Sequence, residues 1–260
     1  MQIKQIYTHG PYRNFSYLII SKNKEQVFCV DPFDGGQIEQ ILENDGIKLT
    51  AIINTHEHGD HTCGNQYLID RYGVEVWAHE KAKDKITSIG NYLKHNQIIE
   101  LGNKESLKIW VTPGHTMAHI CLLAQNNAVP FAILTGDTLF NAGVGNCKNG
   151  GNSEVLFQTI NELFSDLADE VLVYPGHDYF ENNLKFTLDR EKDNHWAKDI
   201  LHEYQEKIKH GQFLVSTMGL ERKINAFLRL ESATINNELG LKNSARKETF
   251  IELRKYRDQW

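Results

Sequence analysis

The chain of 260 residues carries 28 lysines and arginines against 34 aspartates and glutamates, a formal net charge of −6 that gives no electrostatic reason to expect a nucleic acid as partner. Its 40% hydrophobic and 24% charged content fits a soluble globular protein, long enough for one large domain or a domain with an appendage. No apolar run approaches membrane-spanning length, and the N-terminal MQIKQIYTHGPYRNFSYLII lacks the apolar core of a secretory signal, so no membrane partner is expected.

The first elements are two strand-like runs, NFSYLIIS and QVFCVDP, which read as a pair, followed by GGQIEQILENDG as a helix stopped by glycine. LTAIINTH is then a buried strand that runs into THEHGDH. The same arrangement recurs three times. LKIWVTPGHT leads to His115, FAILTGDT to Asp137, and EVLVYPGHD to His177. Four apolar runs thus end in small-residue turns that deliver a side chain able to bind metal, so the ligands are expected to converge at one end of a sheet system. Beyond about residue 180, FENNLKFTLDREKDNHWAKDILHEYQEKIKHG and ARKETFIELRKYRDQW place apolar residues at three- and four-residue spacing, which predicts a helical C-terminal region. Cys29, Cys63, Cys121 and Cys147 are scattered and form no CxxC pair, the usage of a cytoplasmic protein with reduced thiols.

His56 and His58 lie two apart, on one side of an extended backbone, unlike the four-residue spacing of a helical HExxH pair. Asp60 and His61 form a second pair. With His115, Asp137 and His177 they make seven candidate ligands, too many for one closed tetrahedral site but suited to two metal ions with room for water. A donor set of imidazole and carboxylate favours two divalent ions, Zn first, with Fe or Mn also accepted. Such a pair can hold a bridging water, lower its pKa to roughly 7 and polarise a carbonyl. Asp137 can bridge the ions, and Asp60 can ligate one of them and accept a proton. These two are the candidate catalytic residues. Glu57 occupies the variable slot and is expected to point away. His119, four residues after His115, is open between supporting a ligand and a core or turn role.

The segments THEHGDH, TPGHT, TGDT and YPGHDY resemble the metallo-β-lactamase superfamily, and TGDTLF, GHDYFENNLKF and STMGLERKINAFLRL resemble its glyoxalase II (hydroxyacylglutathione hydrolase) branch. The likeness runs from about residue 10 to the C-terminal helices. It implies an α/β fold, an αββα metallo-β-lactamase sandwich over residues 1–178, followed by a helical substrate-binding domain over residues 179–260. It also implies that His56, His58 and His115 hold one metal, that Asp60, His61 and His177 hold the other, and that Asp137 bridges them. The implied reaction is hydrolysis of S-D-lactoylglutathione to D-lactate and glutathione by a metal-bridging hydroxide, a step of methylglyoxal detoxification. The partner is then a small-molecule glutathione thioester, and the protein a monomer or weak homo-oligomer. Tyr179 and Arg229 match positions that the family associates with glutathione. The chain departs from the family in AGVGNCKNGGN, where Asn146 stands in place of a basic residue and Lys148 is the nearest cation. Two alternatives stay open: a mononuclear-iron persulfide dioxygenase, which the double motif does not exclude, and a metallo-hydrolase acting on another thioester or a lactone, with the altered loop setting the preference.

Overall fold

The computed structural model describes residues 1–241 and 244–260. Its first sheet joins β1 (Gln2–Tyr7), β2 (Phe15–Ile20) and β3 (Val27–Val30) in antiparallel order, then adds β4 (Ala51–Ile53), β5 (Glu75–His79) and β6 (Ile89–Leu93) in parallel. Parallel neighbours need a crossover. Here α1 (Gly35–Asp45) links β3 to β4, while a single turn, α2 (Gly59–Thr62), and α3 (Asn65–Tyr72) link β4 to β5. Helix α1 starts where the Asp34 side chain accepts from the Gly36 and Gln37 amides. It stops at Gly46, whose φ of 62° is the left-handed conformation that glycine enters most readily.

The second sheet is built from β7 (Ile98–Gly102), β8 (Glu105–Val111), β9 (Ile120–Asn126) and β10 (Val129–Gly136), all antiparallel. A small hairpin, β11 (Leu139–Phe140) and β12 (Gly143–Val144), and helix α4 (Ser153–Leu163) precede β13 (Leu172–Pro175), which lies parallel to β10.

Side-chain alternation along β2 explains how the layers stack. Phe15, Tyr17 and Ile19 enter the space between the sheets with Leu107, Ile109, Ile120, Leu122 and Leu134, whereas Leu18 and Ile20 join Ile38 and Leu42 of α1 and Leu68 of α3. On the outer face of the second sheet, Leu156, Ile160 and Phe164 of α4 cover Cys121, Leu123, Ile133 and Val173. Each such buried side chain contributes about 1.5–3 kcal/mol. The result is the expected αββα sandwich.

Helices α5 (Phe180–Arg190), α6 (His195–Ile208), α7 (Met218–Ile224), α8 (Ala233–Glu238) and α9 (Arg246–Arg257) form the C-terminal region. One feature departs from a purely helical reading. Between α6 and α7 the chain returns as β14 (Ser216–Thr217) to pair with β13 at the sheet edge, because Val173 and Leu172 leave that edge open for hydrogen bonding. Helix α9 adds Phe250 and Leu253 to the cluster under α4, and its buried Arg254 donates to the carbonyls of Val144 and Gly145 at 3.0 and 3.1 Å. No helix among the described residues is long and apolar enough to cross a membrane.

Candidate metal centre

The turns after β4, β8, β10 and β13 bring together all seven side chains singled out as ligands. His56, His58 and His115 place one ring nitrogen each within 4.8 Å of the others, and Asp60, His61 and His177 form a second such group. The Asp137 carboxylate lies between the groups. Its Oδ2 is 3.2 Å from His177 Nε2 and 3.4 Å from His115 Nε2, while its Oδ1 is 3.5 Å from His61 Nε2.

The outward ring nitrogens show how each imidazole is oriented. His115 Nδ1 donates to the Asn146 carbonyl at 2.6 Å, His58 Nε2 to the Asn149 carbonyl at 3.1 Å, and His177 Nδ1 to the Tyr12 carbonyl at 2.7 Å. His61 Nδ1 lies 2.9 Å from Asp31 Oδ2. The Thr55 hydroxyl spends its proton on Asp31 Oδ2 at 2.6 Å, so it accepts from His56 Nδ1 at 3.0 Å. Each neutral imidazole has one N–H, and here it points outward. In neutral rings the inward nitrogens are bare lone pairs, yet His58 Nδ1 is 3.0 Å from both His56 Nε2 and His115 Nε2; His61, whose ring its neighbouring carboxylates favour in the charged form, can donate its inward N–H across the 3.1 Å to His177 Nε2. Asp137 Oδ1 is also buried with no hydrogen-bond partner. Converging lone pairs and an orphaned carboxylate oxygen are costly by themselves and fit bound cations.

Electrostatics point the same way. Burial lowers the pKa of His56 and His115, holding both neutral. Burial also disfavours charge on His61, but the carboxylates of Asp137, Asp31 and Asp60 outweigh it and push that ring up to about 9. Burial raises Asp137, and the surrounding His177, His61 and His115 overcome it, holding the carboxyl well below its usual range. The cluster is thus an anionic pocket that seeks positive charge.

Close main-chain approach makes this packing possible. A Cβ on Gly176 would fall 2.3 Å from Asp137 Oδ1, and one on Gly145 would fall 2.0 Å from the Asp137 carbonyl oxygen. Glycine alone fits at either point.

Three contributors lie outside the motifs singled out in the sequence. Asp31, at the end of β3, accepts from the Thr55 amide at 2.7 Å as well as from His61, so it serves as an anchor rather than a free ligand. Asn14 donates to Asp60 Oδ2 at 2.9 Å. Tyr12 orients His177 through its carbonyl while its exposed ring borders the cavity. A carboxylate following the buried run VFCV was the available signal for Asp31. His119 is buried next to the cluster without joining it, and Glu57 turns away to Thr116 and Lys85 at 2.9 and 3.1 Å.

The cluster of histidines and aspartates forms the floor of a cavity of about 480 Å³, bordered by Tyr12, Phe140, Asn146, Asn149 and Tyr179. Phe140, Asn146 and Tyr179 also border an adjoining pocket of about 200 Å³ that contains Lys148, Arg254, Arg257 and Asp258. Tyr179 stacks on His177, with ring centroids 4.8 Å apart and planes inclined by 6°. Lys148 reaches the pocket and donates to the Asp258 carbonyl at 2.9 Å. Asn146 borders both spaces, although its carbonyl is committed to His115 and its side-chain oxygen accepts from the Lys148 amide. Arg229 corrects the sequence reading: it borders neither space, because Glu191 holds its guanidinium through contacts of 2.6 and 2.8 Å. The cations that do reach the pocket from the C-terminal region are Arg254 and Arg257, which the sequence suggested only as the charged face of a helix.

Two family models match the chain: "Metallo-beta-lactamase superfamily" over residues 9–177, and "Hydroxyacylglutathione hydrolase C-terminus" over residues 178–260. Among curated relatives, proteins named hydroxyacylglutathione hydrolase from Nitrosococcus oceani and from Polaromonas sp. are 42% and 40% identical, each alignment covering 100% of both chains. Among solved structures, ETHE1 from Myxococcus xanthus superposes with a TM-score of 0.67 at 22% identity, covering 99% of this chain and 98% of its own. A metallo-β-lactamase from Staphylococcus aureus gives 0.66 at 20% identity, covering 98% and 71%. At those identities the structural neighbours speak for the fold alone.

Proposed function

The chain belongs to the hydroxyacylglutathione hydrolase family of the metallo-β-lactamase superfamily, and from that premise we propose that it hydrolyses a glutathione thioester, S-D-lactoylglutathione, to D-lactate and glutathione. The observation that carries this reading is the connection between the metal-ligand cavity and the cationic pocket across Phe140, Asn146 and Tyr179. A thioester of glutathione has a carbonyl at one end of its reactive bond and a peptide bearing two carboxylates at the other. The first suits the cavity over the ligands, and the second suits Lys148, Arg254 and Arg257.

His56, His58 and His115 would hold one divalent ion, Asp60, His61 and His177 the other, and Asp137 would bridge them. Zn is proposed, and Fe or Mn suits the same donors. When bound, two such ions supply Lewis acidity and bring the pKa of a shared water near 7. The protein supplies the rest. Asp60, whose Oδ2 accepts from Asn14, would take a proton from the attacking water. Tyr179 and Phe140 wall the junction between the two spaces and keep the carbonyl over the ligands. The leaving thiolate, with a thiol pKa of ~8.5, departs without a strong acid.

Residues 1–178 are proposed as the hydrolytic domain and 179–260 as the domain that recognises the thiol half. The complete ligand set for two ions supports this reading over a mononuclear-iron dioxygenase. Four unpaired cysteines support a reducing compartment, the cytoplasm. The test is hydrolysis of S-D-lactoylglutathione by the metal-loaded protein, followed by loss of thioester absorbance. Turnover should collapse in Asp137→Ala and His58→Ala and be far slower with a simple acyl thioester that lacks the two carboxylates. A metal-loaded protein that turns over no acyl-glutathione would overturn the assignment.

A further inference from the structure

One fully buried imidazole beside the ligands is not used by the reaction. His119, in the turn before β9, has no exposed surface, and its ring stacks on His56 with centroids 5.0 Å apart and planes inclined by 23°. Its Nε2 lies 3.0 Å from the main-chain nitrogen of Asp137. An amide N–H can only donate, so Nε2 is an acceptor and the ring proton sits on Nδ1. That proton faces two hydroxyls, Thr112 Oγ1 at 2.9 Å and Thr138 Oγ1 at 3.0 Å. Both nitrogens are therefore engaged within the protein, and neither is available to a metal.

The turn that His119 supports is unusually tight. Gly136 has a φ of 46°, and a Cβ there would lie 2.7 Å from His119 Nε2. The chain thus passes between Thr55 and His119 and emerges at Asp137, whose carboxylate stands 3.2–3.5 Å from three histidine nitrogens belonging to both groups of ligands. Metal ligation tolerates errors of only a few tenths of an ångström, so whatever fixes the Asp137 main chain also fixes the point at which the two groups are joined.

We propose that His119 is a positioning residue: by accepting the Asp137 amide it sets the bridging carboxylate between the two ligand groups, and so makes the site hold two ions as a pair without ligating either. The inference rests on the two-metal reading of the centre. The acceptor atom is what matters, and that predicts an ordering among variants. In His119→Gln the side-chain oxygen can reach the place of Nε2 and accept the same amide. In His119→Asn the chain is too short to reach it, and in His119→Phe the ring volume is kept but the acceptor is gone.

The experiment titrates the metal-free full-length proteins with Zn²⁺ against a chromophoric chelator, and follows the absorption of the cobalt-loaded forms, with thermal unfolding of the metal-free proteins as the check on folding. The wild type is expected to bind two ions. His119→Asn and His119→Phe should bind at least one of them tenfold or more weakly, with an altered cobalt spectrum, and His119→Gln should recover most of the affinity. Should the phenylalanine variant fail to fold, the glutamine–asparagine pair carries the same comparison. Equal affinity in all variants, or equal loss in glutamine and asparagine, would overturn the role of the acceptor while leaving the two-metal reading intact. A folded wild type that binds fewer than two ions would overturn that reading and this inference with it.

Discussion

Glu221 offers a test of the contact between the C-terminal helices and the substrate cavity. It is fully buried in α7, yet it reaches the hairpin that carries Phe140: Oε2 accepts from the Ala142 amide at 2.8 Å and from Asn225 at 3.0 Å, and Oε1 meets the Ser216 hydroxyl at 2.6 Å. Burial raises its pKa from 4.5 to about 7, against the lowering effect of those donors. In the folded protein the acid therefore stays protonated to a higher pH than in the unfolded chain. Below pH 4.5 both states hold the proton and nothing is lost; as pH rises toward 7 the unfolded chain releases it first, so stability falls; above 7 the loss is complete and constant. At about 1.4 kcal/mol per pH unit the gap from 4.5 to about 7 corresponds to about 3 kcal/mol, an order-of-magnitude figure. Glu221→Gln keeps the shape and the acceptor for Ala142 and Asn225, and its amide can donate to Ser216, so it should lack this slope. Urea unfolding of both proteins at pH 5 and pH 8 should show the variant gaining about 2–3 kcal/mol on the wild type between the two. Taking the difference cancels the pH dependence of the ligand cluster, which both proteins share. A pH-independent difference would refute the reasoning.

Gly176→Ala should fold but lose bound metal, because its new Cβ is directed at Asp137 Oδ1 from 2.3 Å; metal content per chain by elemental analysis is the check. Asp31→Asn should weaken metal affinity by about 10–100-fold, the usual effect of losing a carboxylate behind a ligating histidine, measured by chelator competition. Arg257→Ala should raise KM for a glutathione thioester about tenfold, the value of one hydrogen bond to a charged group, and leave kcat within about twofold. The same variant should treat a thioester without carboxylates as the wild type does, and a matching loss on both substrates would remove Arg257 from thiol recognition.

The convergence of the seven candidate ligands was legible because each follows an apolar run and a small-residue turn, a pattern that survives without knowledge of the fold. Asp31 was not. Its role depends on β3 lying parallel to β4, which puts the Thr55 amide and His61 within its reach across 24 and 30 residues of sequence. The helical turn at Gly59–Thr62 is too short to show a period, so Asp60 and His61 could be grouped but not oriented. Arg229 misled for the opposite reason: the local likeness around FLR is real, but Glu191, 38 residues earlier, captures the guanidinium. Arg254 and Arg257 were hidden in a charged amphipathic helix, where nothing local distinguishes a solvated arginine from one turned into a pocket.

The Asn146–Asn149 segment shows why a departure from the family pattern need not disturb the chemistry. Its contacts to the ligands are made by main-chain oxygens, Asn146 to His115 and Asn149 to His58. Any residue at those positions offers the same oxygen, provided that the loop keeps its path. The path is held from two sides, by Gly145 packed under Asp137 and by the buried Arg254, which grips the carbonyls of Val144 and Gly145. The side chains of Asn146 and Lys148, in contrast, border the pocket beside the C-terminal helix. The backbone thus orients the His58 and His115 imidazoles, and on the proposed reading the side chains are left for substrate contact. A substitution such as Asn146 can thus shift the affinity for the thiol half while His58 and His115 keep their orientation.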